Sequence, residues 1–132
     1  MLLLALAIAM ANPALTLRAE CKGTPSPTAD LFLTLTITNT TNAPIPFPLE
    51  YLQKTGPSIK LTDTRTQQHT YLRTNLAPQE LRQKNTQIPP HKSVTLEWLI
   101  HPIELEQFGT PIDLTATITL ESLTTTIPIK SK

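Results

Sequence analysis

Leu31-Phe32-Leu33-Thr34-Leu35-Thr36-Ile37-Thr38 decides how this chain is read. Every second side chain belongs to one apolar class, and threonine fills most of the positions between. A repeat of two residues is the period of a strand with one buried and one wet face. Threonine, branched at Cβ, suits the pleated wet face. The same alternation returns in Ile112-Asp113-Leu114-Thr115-Ala116-Thr117-Ile118-Thr119-Leu120 near the other end.

Working outward, the apolar phase defines further strands. Leu15, Leu17, Ala19 and Cys21 alternate with Thr16, Arg18, Glu20 and Lys22. Ile59 and Leu61 begin a strand that passes through a polar tip, Thr62 to Gln68, into His69–Arg73, a hairpin pattern. Val94, Leu96, Trp98 and Ile100 share one face, and Leu123–Ile129 completes a final hairpin across Glu121-Ser122. The expected fold is all-β, an antiparallel immunoglobulin-like two-sheet β-sandwich of seven or eight strands. Leu33, Leu35, Ile37, Leu96, Trp98, Leu114 and Ile118 are its expected core. A one-residue slip of any strand would turn its apolar set to water.

Proline is abundant, 13 residues against three glycines, so turns rest mainly on Pro, Asn and Asp. Pro44, Pro46 and Pro48 alternate with Ile45, Phe47 and Leu49. In an extended segment these prolines remove the N–H donors from a single edge, which protects a sheet edge from further pairing. Pro128 likewise places the last strand at an edge or at a bulge. Short helical turns are expected after Pro78 and from Pro102 to Gly109.

At 132 residues the chain suits one domain. Eleven basic and ten acidic side chains are mixed along it, a formal net charge of +1. That balance offers no electrostatic footprint for nucleic acid or for an anionic membrane. Residues 1–11 are uninterrupted apolar sequence ending in Ala9-Met10-Ala11, too short to span a bilayer. The run fits a secretory h-region and cleavage site, although a positive n-region is missing. It predicts removal of residues 1–11 and export of a single domain, 12–132, to the periplasm or beyond, with no stable membrane span. The competing expectation is a cytoplasmic protein with an apolar N-terminus.

Chemistry-bearing residues are scattered. Cys21, the only cysteine, is in phase with the apolar face of its strand and reads as a small buried hydrophobe. His69, His91 and His101 have no carboxylate or second histidine at metal-ligand spacing. Glu104 and Glu106 are a weak acid–base pair, and Asp63 and Asp113 read as turn or surface residues. There is no nucleophile elbow or phosphate-cradling loop. No catalytic residue, cofactor or metal is assigned. Asn39-Thr40-Thr41 is a formal glycosylation acceptor that threonine-rich sequence produces by chance.

The longest irregular stretch is Thr74–Lys92. Loops over about 12–15 residues are uncommon unless functional or disordered. Leu76, Glu80, Leu81, Arg82, Lys84 and Gln87 combine polar groups with small apolar anchors, so they are the candidate residues for binding a protein partner.

Three blocks carry a family resemblance. Leu35-Thr36-Ile37-Thr38-Asn39-Thr40-Thr41-Asn42-Ala43-Pro44-Ile45 resembles the strand-then-Asn signature of bacterial immunoglobulin-like domains. Ile59-Lys60-Leu61-Thr62-Asp63 with His69-Thr70-Tyr71-Leu72 resembles their central hairpin. Ile88-Pro89-Pro90-His91-Lys92-Ser93-Val94-Thr95-Leu96-Glu97-Trp98 looks like an Ile-x-Pro-Gly turn feeding a strand, departing at His91 where glycine is usual. The order, over roughly residues 31 to 100, is similar to the bacterial intracellular proteinase inhibitor family. Two functions are therefore expected as alternatives. One is a non-catalytic exported module binding or scaffolding a protein partner in the cell envelope. The other is a proteinase inhibitor acting through an exposed loop, although an export leader does not suit an intracellular inhibitor.

Overall fold

A computed structural model describes residues 14–26 and 28–131. The leader expected at residues 1–11 lies outside the described residues. The longer strands follow the alternation: β1 Leu15–Lys22, β2 Leu31–Asn39, β4 Ser58–Asp63, β7 Ser93–Ile100, β8 Asp113–Leu120 and β9 Leu123–Lys130. Three short strands join them, β3 Ile45–Phe47, β5 His69–Tyr71 and β6 Thr86–Ile88. The count among the described residues is therefore nine rather than seven or eight. The strand not foreseen is β6, three residues long and too short to show an apolar period.

All pairing is antiparallel. β1-β2-β7 form one sheet, β5-β4-β8-β9 a second, and β3-β6 a two-stranded ribbon. Leu31, Leu33, Leu35 and Ile37 of β2 meet Ile59, Leu61, Leu114, Ala116 and Ile118 of the other sheet in one core. These residues are at most 1% exposed. The alternation thus has its physical cause: each threonine-bearing position is the outward partner of a residue sealed between two sheets. On the first sheet β1 lies alongside β9, which closes that flank. Among the described residues no helix is long and apolar enough to cross a membrane.

Several residues depart from expectation. Leu49 does not extend β3 but opens a helix, α1 Leu49–Thr55, with Leu52 buried beneath it. Glu50 in its first turn and Lys54 in its last complement the helix dipole. Gly56 ends it at φ +84°, and a Cβ there would collide with the Trp98 ring. Trp98 is only half-buried, because β7 is the outer strand of its sheet and α1 covers only part of its flank. Asp63 is not a surface residue. It stands in the inward phase of β4, 3% exposed, where its carboxylate accepts the Arg65 N–H at 2.9 Å. Asp113 is half-buried, its Oδ1 4.0 Å from Lys130 Nζ with no hydrogen bond among the described residues.

The glycine-poor turns use other residues in left-handed backbone: Gln67, His91 and Glu121 have φ of 66°, 60° and 52°. His91 stands in that region at the position where the resembling turn carries glycine, and histidine is among the residues that tolerate it best. Its Nε2 is hydrogen-bonded to Asn42 Oδ1 at 2.6 Å.

The formal glycosylation residue Asn39 is fully buried. Its amide nitrogen donates to the carbonyls of Ala43 and Ile88, both at 2.8 Å. Its Oδ1 accepts from the Thr41 N–H at 2.8 Å and the Thr41 hydroxyl at 2.7 Å. Replacing Asn39 by alanine leaves the buried Ile88 carbonyl without a partner and removes three part-buried bonds. A buried group left unpaired costs about 1–3 kcal/mol, and an ordinary lost bond about 1, so Asn39→Ala should lose about 2–4 kcal/mol of unfolding free energy in a urea titration. A loss under about 0.5 kcal/mol would contradict the buried network.

Candidate functional site

The segment expected to bind a partner is more ordered than its sequence indicates. Leu72 N–H donates to Ile59 O at 2.9 Å and Asn75 N–H to Thr55 O at 2.8 Å, which fix its first part. A 3₁₀ turn follows at Gln79–Gln83, then β6, whose Gln87 faces Pro46 in the ribbon. Arg82 makes a two-pronged ion pair with Glu121 at 2.8 and 3.0 Å and lies 4.7 Å from the Tyr51 ring centre. That contact ties the segment both to the β8–β9 turn and to α1, and it involves a residue held at positive φ. The six candidates therefore separate. Arg82 braces the fold, Leu81 is half-buried and Gln87 belongs to a strand, while Leu76, Glu80 and Lys84 stand in solvent. Leu76 is fully exposed, directly after Asn75, whose N–H is held by Thr55 O.

A second surface lies on the outer face of β2 and β7. The outward phase of β2 is Phe32, Thr34, Thr36 and Thr38, and that of β7 is Ser93, Thr95, Glu97 and Leu99. Phe32 and Leu99 are the two apolar residues in those phases, and the register sets them opposite each other. The Asn39 N–H donates to Lys92 O, so even-numbered residues of β7 bond to β2 and odd-numbered ones do not. Phe32 and Leu99 are consequently a non-hydrogen-bonded pair, the kind in which side chains approach most closely. They remain 56% and 38% exposed. A groove of about 510 Å³ runs from them past Glu97 and Trp98 to Gln53 on α1 and Asn75 on the braced segment. Thus Asn75 joins the expected loop to a surface that the sequence reading missed. The missed signal was legible: an aromatic and a leucine occupy positions where the pattern calls for threonine or charge.

His101 closes one end of this groove. Its Nδ1 lies 2.9 Å from Asp30 Oδ1, while its backbone N–H donates to Glu104 Oε2 at 2.8 Å. Glu104 thereby caps the 3₁₀ turn Pro102–Phe108. The Asp30 hydrogen bond and charge, aided by Glu104, hold the His101 imidazole above the usual histidine range.

No family model and no curated protein matches the chain. Any functional reading must come from these surfaces. Among the described residues, no three His, Cys, Asp or Glu side chains gather as metal ligands. His69, His91 and His101 sit apart, His69 packing edge-on to Tyr71. Cys21 is half-buried, and burial pushes its thiol up, away from the reactive thiolate. A second hollow, of about 240 Å³, lies between Pro25, Leu105 and Ile112. Ser131 at its wall is engaged with the Ile112 backbone at 2.7 Å.

Because its folded pKa is raised, His101 contributes to stability through Asp30 below the unfolded histidine value. That contribution is lost as pH rises through the folded pKa. In an NMR titration the His101 midpoint should lie above the ordinary histidine value, and Asp30→Asn should lower it. An unmoved midpoint in Asp30→Asn would show that the pair does not form.

Proposed function

We propose that the protein is a non-catalytic, exported immunoglobulin-like module that binds a protein partner in the cell envelope. Support for the immunoglobulin-like reading comes from the strand order, β1-β2-β7 facing β5-β4-β8-β9 across one core. The left-handed backbone at His91, where the resembling turn has glycine, adds to it. Export rests on the apolar run ending at Ala9-Met10-Ala11.

One observation carries the binding reading: Phe32 and Leu99 pair in the outward phase and stay exposed beside a groove. Single exposed apolar residues are ordinary on monomers, whereas adjoining ones rimmed by polar groups mark interaction sites. Here Gln53, Asn75 and Glu97 form that rim. Ile103, just beyond His101, and Leu76, next to Asn75, are also exposed. The partner thus meets the β2–β7 face and the adjoining part of the Thr74–Lys92 segment.

A photo-cross-linking residue at position 99 or 76 of the native protein tests this in cells. Discrete adducts should form at both positions, while the same residue at Thr126, on β9, should give none. Absence of adducts at both 99 and 76 would end the reading.

Leu76 favours a second reading, an inhibitor of an endopeptidase. A fully exposed leucine next to the held backbone of Asn75 has the form of a cleft-filling side chain. Purified serine endopeptidases with apolar specificity should then be inhibited, and Leu76→Asp should raise the inhibition constant at least about tenfold, since a charge cannot fill an apolar pocket without a partner. Rapid cleavage after Leu76 instead of inhibition would exclude it.

A further inference from the structure

We propose that the β2–β7 groove binds an extended segment of the partner through an arginine side chain, with Glu97 as the counter-charge and Phe32 as the stacking surface. This rests on the reading of the protein as a binding module and names the chemistry its partner must present.

Charge is the first observation. Two ionisable side chains line the groove, Glu97 and His101. His101 is already paired with Asp30. Glu97 is exposed, and its carboxylate has no ion pair or hydrogen bond among the described residues. Across β2, Glu20 of β1 occupies the same row through Thr34 and is likewise without an ion pair among them. Arg18 and Lys22 flank Glu20 on the same outward face of β1, whereas none of the three lines the groove, so Glu97 is the groove's own unpaired charge, and a cation satisfies it.

The neighbouring apolar pair narrows the cation to arginine. Glu97 and Leu99 are successive outward residues of β7, and Phe32 stands opposite Leu99. A guanidinium matches a carboxylate with two parallel hydrogen bonds and stacks on an aromatic face, while its three-carbon stem lies along apolar surface. Lysine supplies a point charge and cannot make the paired bonds. The volume, about 510 Å³, lies within the range of specific ligand sites and holds a few side chains.

The backbone of β7 explains why the arginine arrives on an extended segment. Odd-numbered residues turn their N–H and C=O away from β2. Gln53 Nε2 donates to the outward Glu97 carbonyl at 3.0 Å, which caps the middle of the edge. Leu99, two residues on, keeps its outward N–H and C=O without a strand partner, since β7 pairs only with β2. The other flanks are managed: β3 carries Pro46, β5 is three residues long, and β1 lies alongside β9. A short extended stretch can therefore bond at Leu99 and direct one side chain over Leu99 toward Phe32 and Glu97. The unused side-chain amide of Asn75 and the Oε1 of Gln53, whose Nε2 is engaged by the Glu97 carbonyl, belong to the same groove and can take its remaining polar groups.

The probe is the blocked peptide acetyl-Val-Thr-Arg-Val-Thr-amide, with matched peptides carrying Lys or Glu for Arg. Trp98, the only tryptophan, lines the groove and reports by fluorescence. The arginine peptide should shift Trp98 emission and the Leu99 amide NMR signal. It should bind at least about fivefold more tightly than the lysine peptide, and the glutamate peptide should give no shift. Glu97→Gln should weaken the arginine peptide about tenfold or more, as should Phe32→Ser, with Glu106→Gln unchanged. Both variants are outward-facing, and an unchanged unfolding midpoint confirms that they fold. Equal binding by Glu97→Gln, or no shift with the arginine peptide, overturns the proposal. So does sedimentation as a dimer that Phe32→Ser dissociates, because the groove would then serve a second copy. Cross-linking at position 99 judges the broader binding reading separately, since it needs no arginine.

Discussion

The buried amide of Asn39 is the joint on which the arrangement of layers depends. It stands at the end of β2, bonds across to the carbonyls of Ala43 and Ile88, and accepts from Thr41. Those partners belong to the chain entering β3 and the end of β6. One side chain therefore couples the central strand of the first sheet to the β3–β6 ribbon. An apolar residue of the same size would leave the buried Ile88 carbonyl unpaired and would release the Thr41 turn. The core supplies most of the stabilisation, but it is non-directional and does not by itself set where the ribbon docks. The amide is directional, and it supplies that constraint.

Edges follow from the same economy of polar groups. Any outer strand exposes backbone donors and acceptors that another chain could use. Pro46 removes the donor at the centre of β3, and β1 beside β9 covers another flank. On β7 the protection is partial. α1 ends at Gly56, which takes a positive φ and leaves room for the Trp98 ring, and its Gln53 reaches only the Glu97 carbonyl. The outward backbone at Leu99 stays open at the place where Phe32 and Leu99 interrupt the threonine phase. Incomplete edge protection and exposed apolar side chains coincide there, and that coincidence distinguishes this face from the threonine-lined outer face of β8.

The Thr74–Lys92 segment shows why irregular sequence is a poor guide to a binding site. Its length and mixed composition mark it as a functional loop, yet Arg82 is engaged with Glu121 and Tyr51, and Gln87 lies in a strand. These partners are 31 or more residues away in sequence, so no local pattern announces them. Phe32 and Leu99 are the converse case. Each is visible as an apolar residue in the wrong phase, but only the register of β2 with β7 reveals that the two exceptions touch.

The sequence by itself determined the strands and their faces. A two-residue period can be buried on one side in only one phase, so Leu33, Leu35, Ile37, Leu114 and Ile118 had to be core. It also determined the turns at Pro78 and Pro102, because proline's fixed φ and missing N–H act locally, while of the expected proline-spaced edge only Ile45–Phe47 with Pro46 is a strand. The tertiary structure alone decided that Asp63 and Asn39 are buried, that residues 49–55 are helical, and that Trp98 is half-exposed. It alone gathered Phe32, Leu99, Glu97, Gln53 and Asn75 around one groove. Those outcomes depend on which distant strand stands beside which, and side-chain periodicity carries no information about that pairing.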